Sequence, residues 1–174
     1  VYSSNYQGMY KMSFACLAQD QRHRTLDLAI NKFTFPNDFK KITEFYIPPI
    51  IANNPALRDE YLKDMASVAQ FLPQGTLLDV SEAGSYKNFI LKAKERLCAC
   101  AQKEIRDLTL KQTKDYANEL YIDANTLPEE DLRRQARRMA NKLQVMTKGS
   151  RCKSGYKCKA PCGFLDGINL ESQI

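Results

Sequence analysis

From Ser85 to Tyr121 the chain runs without a proline or a glycine. No other stretch restricts its fold as much. Phe89, Ala93, Leu97, Cys100, Ala101, Leu108 and Leu120 recur along it mostly at three- and four-residue steps or their multiples, as one face of a helix requires. At ~1.5 Å per residue an unbroken helix of that length would reach about 55 Å, more than the diameter of a small domain. The sequence therefore predicts a long helix with a kink or break near Thr109–Thr113. Only 7 Gly and 7 Pro occur in 174 residues, too few turn formers for a fold of many short strands.

Other segments continue the helical reading. Met9, Met12, Cys16, Leu26 and Ile30 suggest a helix over 5–33, either single or broken near Gln19. Two prolines inside Phe45–Ile51 predict an extended strap. Asn54 before Pro55 predicts a capped helix start, with Leu57, Tyr61, Met65 (or Leu62), Val68 and Leu72 on its apolar side and Pro73 and Gly75 at its end. Thr76–Gly84 is expected to be irregular. Thr126-Leu127-Pro128-Glu129 has the form of a capping box, followed by an apolar stripe of Leu132, Ala136, Met139, Leu143 and Met146. The expected fold is all-α. A single-domain bundle of about five helices fills 1–149, and an irregular cysteine-rich tail, 150–174, packs on the same domain.

Six cysteines, Cys16, Cys98, Cys100, Cys152, Cys158 and Cys162, are an even number, and the chain begins at Val1. Together these suggest disulfides and a secreted, extracellular protein. On a helix Cys98 and Cys100 lie about 200° apart and do not bond each other. The expected pairing joins Cys16 to Cys98 or Cys100, with the other helix cysteine reaching the tail and the last two tail cysteines pairing locally. Cys152-x5-Cys158-x3-Cys162 lacks zinc-knuckle spacing, so no metal is expected.

The net charge of +6 resides in the second half of the chain. Residues 1–87 hold nine basic and nine acidic side chains, whereas 88–174 hold seventeen and eleven. Leu132–Lys159 carries ten Lys or Arg and no Asp or Glu. Arg133 and Arg134 follow Glu129 and Glu130 at the spacing of helix-stabilising pairs, which accounts for them as surface decoration. The remaining eight, Arg137, Arg138, Lys142, Lys148, Arg151, Lys153, Lys157 and Lys159, form a candidate anion-binding surface.

Catalytic and cofactor motifs are absent. His23 is the single histidine, flanked by Arg22 and Arg24, with no nucleophile elbow, phosphate loop or dinucleotide fingerprint to accompany it. The sequence therefore predicts a secreted, non-enzymatic binding protein without cofactor. Its basic surface would engage an anionic macromolecule (a glycosaminoglycan, an anionic lipid or an acidic protein) or a protein receptor, in a signalling, inhibitory or host-interaction role. Nucleic acid is a disfavoured partner, and no transmembrane segment is expected. The alternative is a carrier of a small hydrophobic ligand, held by Phe33, Phe35, Phe39, Phe45, Tyr46 and Ile50.

Overall fold

A computed structural model describes residues 2–30, 44–98 and 100–148. Among these, three strands form one antiparallel sheet in the order β1-β3-β2. The strands are β1 (Asn5–Ser13), β2 (Asp27–Ile30) and β3 (Leu77–Ser85). The helices are α1 (Phe14–Asp20), α2 (Pro49–Ala52), α3 (Pro55–Ser67), α4 (Tyr86–Arg96), α5 (Lys103–Thr126) and α6 (Glu130–Met146).

The expected all-α class is thus corrected by the sheet. The helical spacing of Met9, Met12 and Cys16 concealed a period of two. In β1, Tyr6 and Met12 are buried while Gln7, Met9 and Lys11 face solvent. In β3, Leu78, Val80 and Glu82 are buried and alternate with half-exposed neighbours, so Thr76–Gly84 is mostly strand rather than irregular loop. Glu82 on the buried face breaks the hydrophobic pattern that would have marked the strand. Register is fixed at both ends. Tyr86 N donates to Ser4 O at 3.2 Å, and Phe14 N donates to Thr76 O at 3.3 Å.

Each long strand hands over to a helix through a serine. Ser13 Oγ accepts from Cys16 N at 3.0 Å to cap α1, and Ser85 Oγ accepts from Asn88 N at 3.3 Å to cap α4. Such caps contribute about 1 kcal/mol each.

The chain divides into two compact units. The first contains residues 2–8 and 83–148. At its centre Tyr6 lies 4.3 Å from Phe89 and 5.2 Å from Tyr116, ring centroid to ring centroid, and Phe89 meets Tyr116 edge-on at 5.4 Å. Ile105, Tyr116, Ala117 and Leu120 of α5 and Ala136, Ala140, Leu143 and Met146 of α6 are buried. The helices run antiparallel, since Arg137 reaches Asn125 while Tyr121 Oη donates to Asn141 at 2.8 Å further along. Two alanines on the buried face of α6 allow a close approach.

The long helix breaks earlier than expected. α4 ends at Arg96 and α5 starts at Lys103, while Thr109–Thr113 lies inside unbroken α5. Cys98 and Cys100 therefore sit in a link rather than on opposite faces of a helix. Among the described residues no disulfide joins any two of Cys16, Cys98 and Cys100. The expected bond from Cys16 to Cys98 or Cys100 is thereby corrected. Cys152, Cys158 and Cys162 lie outside the described residues.

The second unit contains residues 9–30 and 44–82. Phe45 pairs with Thr76 in an antiparallel bridge, and Tyr46 N donates to Gly75 O at 2.8 Å. The strap at 45–51 is extended only as far as Pro48, because Pro49 opens α2 at its first turn. Asn54 caps α3 as expected, accepting from Ala56 N at 3.1 Å. That helix ends at Ser67, and a 3-10 turn at Ala69–Phe71 leads to Leu72 in the left-handed region at φ 51°.

Candidate functional site

Where α5 turns into α6, Ala124, Asn125, Glu130, Arg133, Arg134 and Arg137 line a hollow of about 310 Å³. The turn itself builds it. The anticipated capping box does not form. Thr126 still belongs to α5, where its hydroxyl donates to Ile122 O at 2.9 Å, and Glu129 precedes α6 with no side-chain cap. Arg133 ties the turn from the carbonyl side instead. Its Nη1 donates to Leu127 O at 2.8 Å and to Pro128 O at 3.0 Å, satisfying carbonyls just past the end of α5.

The other edge of the Arg133 guanidinium holds Glu130. Nη2 and Nε reach Glu130 Oε2 at 2.6 and 3.2 Å. Arg134 Nη2 reaches Asp131 Oδ1 at 2.9 Å. Both pairs are spaced i,i+3, whereas the sequence suggested i,i+4 partners in Glu129 and Glu130. The hydrogen bonds from Arg133, then its charge, with smaller help from Arg134 and Arg137, hold the Glu130 carboxyl below the usual carboxylate range.

Arg137 differs from its neighbours. Its Nη2 donates to Asn125 Oδ1 at 2.8 Å and more weakly to Ala124 O at 3.5 Å. Nη1 and Nε make no hydrogen bond, and Arg137 has no carboxylate partner, among the described residues. The hollow is lined by three guanidinium groups and one carboxylate, so it favours an anion.

Of the cations named from the sequence that lie in the described residues, Arg137 alone lines this hollow. Arg138, Lys142 and Lys148 are exposed, have no carboxylate partner among the described residues, and do not line it. Arg151, Lys153, Lys157 and Lys159 lie outside the described residues. Arg133 and Arg134, set aside as decoration, belong to the hollow. Asn125 gave no signal in the sequence, because only the α5–α6 turn brings it to Arg137.

Of the residues expected to hold a hydrophobic ligand, Phe45, Tyr46 and Ile50 are described. Phe45 is 7% exposed in the core and Ile50 is 68% exposed on α2. Tyr46 is half-buried, and its carbonyl accepts from Tyr61 Oη at 2.9 Å. Phe33, Phe35 and Phe39 lie outside the described residues.

A second polar feature is sealed inside the first unit. Lys92 of α4 and Glu104, Thr109, Gln112 and Thr113 of α5 are all buried. Solutes do not reach side chains closed off in this way, so the open hollow is the candidate site. Among the described residues no group of three or more His, Cys, Asp or Glu is placed to hold a metal, and no helix is long and apolar enough to cross a membrane.

The chain matches no protein-family model. No curated protein matches it. Solved structures do show a likeness. One is the flavin-dependent thymidylate synthase ThyX of Helicobacter pylori complexed with FAD and dUMP, at 18% identity and a TM-score of 0.44, with 64% of this chain and 66% of that chain covered. Another structure of ThyX from the same organism, with FAD and dUMP, gives 17% identity and a TM-score of 0.45 over the same shares. Both neighbours are enzymes, whereas the sequence led to the expectation of a non-enzymatic binding protein or a carrier of a hydrophobic ligand, and that expectation is not carried further. At this level of likeness they transfer no residue role, cofactor or reaction to this chain.

Proposed function

We propose that the hollow between α5 and α6 binds the phosphate group of a small phosphorylated ligand. The observation that carries this reading is Arg137. It is held in place by Asn125 through one nitrogen, and two further guanidinium nitrogens make no hydrogen bond among the described residues. Guanidinium forks match phosphate oxygens in geometry as well as charge. The volume of about 310 Å³ lies at the small end of the range for ligand sites and suits a compact molecule. Arg133 and Arg134 flank Arg137 on the same helix and are themselves oriented by hydrogen bonds, so little side-chain entropy is lost on binding.

Titration calorimetry with inorganic pyrophosphate, and separately with a nucleoside monophosphate, tests the reading. The expected result is saturable binding that Arg137→Gln weakens about tenfold, a loss of ~1.4 kcal/mol, while Arg138→Gln and Lys142→Gln leave it nearly unchanged. Equal losses in all three variants would assign the effect to a diffuse cationic face and remove the hollow as a site.

A further inference from the structure

Every nitrogen of the Arg133 side chain is engaged, but its partners differ in kind. Nη1 is fixed by two backbone carbonyls, Leu127 O and Pro128 O, at 2.8 and 3.0 Å. Those carbonyls belong to the link between helices and do not leave unless the link unfolds. They pre-orient the guanidinium plane. The Nε–Nη2 edge is the one that grips a carboxylate or phosphate in bidentate fashion. That edge is taken by Glu130 Oε2 alone, at 3.2 and 2.6 Å. The Glu130 side chain is 71% exposed, while that of Arg133 is 34% exposed. An exposed side chain at the start of α6 rotates away at small cost, because exposed pairs of this type are weak.

We infer that Glu130 is a resident anion. Its carboxylate occupies, on the Nε–Nη2 edge of Arg133, the place a ligand phosphate takes, and the ligand enters by displacing it. This rests on the phosphate reading of the hollow and adds the regulation of that site. Glu130 then sets a threshold. It lowers affinity for weak monoanions, which gain little over the carboxylate already present, and yields to a dianion that bridges Arg133 and Arg137. Because the three arginines keep Glu130 ionised, the competitor remains in place throughout the neutral range. Arg134 provides the internal comparison, since Asp131 holds it at 2.9 Å with the same spacing but through a single nitrogen.

The test is calorimetric titration of the full chain with inorganic pyrophosphate at constant ionic strength, using the wild type, Glu130→Gln and Asp131→Asn. Glu130→Gln is expected to bind about fivefold more tightly than wild type, the scale of one exposed ion pair released. Asp131→Asn is expected to change affinity less than twofold. If the wild type binds but Glu130→Gln binds no tighter, or Asp131→Asn gains as much, the resident-anion inference is overturned while the phosphate site stands. If neither the wild type nor Glu130→Gln binds pyrophosphate, the phosphate reading itself fails and the inference falls with it.

Discussion

Glu119 illustrates how one side chain reports its surroundings. It sits one helical turn from Asp115 and one from Asp123 on α5. Partial burial first, then those two charges, raise its pKa. A carboxyl raised in the folded state favours its neutral form there. Its contribution to stability is therefore greatest below the ordinary carboxylate value and is lost as pH rises through the shifted one. Glu119→Gln should accordingly be more stable than wild type at pH 7, by a few tenths of a kcal/mol for each like-charge pair relieved. The gain should vanish on acidification below about pH 4. Thermal melts across that range decide the matter, and an equal gain at every pH would mean that charge is not the cause. Tyr2 lies on the same side, its hydroxyl donating to Asp123. Burial, then that bond, push the phenol up to about 12. At this scale the sequence was legible in part. Asn54 and Pro55 announced their helix start. Arg133 did not announce that it would close the turn in place of a capping box, because its carbonyl partners at Leu127 and Pro128 are set by where α5 stops.

At the scale of elements, α6 and α3 were readable because their apolar residues repeat at helical steps, and α3 also carries a local start signal in Asn54 and Pro55. The stripe on α6 is turned slightly. Ala140 is buried while Leu132 and Met139 are only half-covered. β1 and β3 were missed for opposite reasons. Two methionines in β1 happened to fall three residues apart, although Met9 is 68% exposed. In β3 a buried glutamate hid the alternation. The break between α4 and α5 carries neither proline nor glycine, so composition did not reveal it. The strand-to-helix transition at Ser85 gives a direct test of the boundary. Ser85→Ala should cost about 1 kcal/mol in denaturant unfolding, whereas Ser85→Asp, which restores a capping oxygen, should cost little. Equal losses would show that the α4 cap is not what the serine provides.

For the whole molecule, the charge asymmetry was visible at once, but its meaning was not. A run of ten cations suggested a broad surface. The structure takes Arg133, Arg134 and Arg137 into a hollow and leaves Arg138 and Lys142 on the exposed side of α6. Sorting charges that way depends on the pairing of residues 124–125 with 133–137 across a helical turn, which one-dimensional spacing does not encode. The expected Cys16 bond had the same weakness, since cysteines pair only when the fold brings their sulfurs together. The central claim is that this hollow, rather than the wider basic face, is where an anion binds. Its most direct test is an NMR titration with inorganic pyrophosphate, following backbone amides and arginine Nε–H groups. Saturable shifts confined to Ala124, Asn125, Glu130, Arg133, Arg134 and Arg137 are the predicted result. Shifts spread over Arg138, Lys142 and Lys148 with the hollow silent would contradict it.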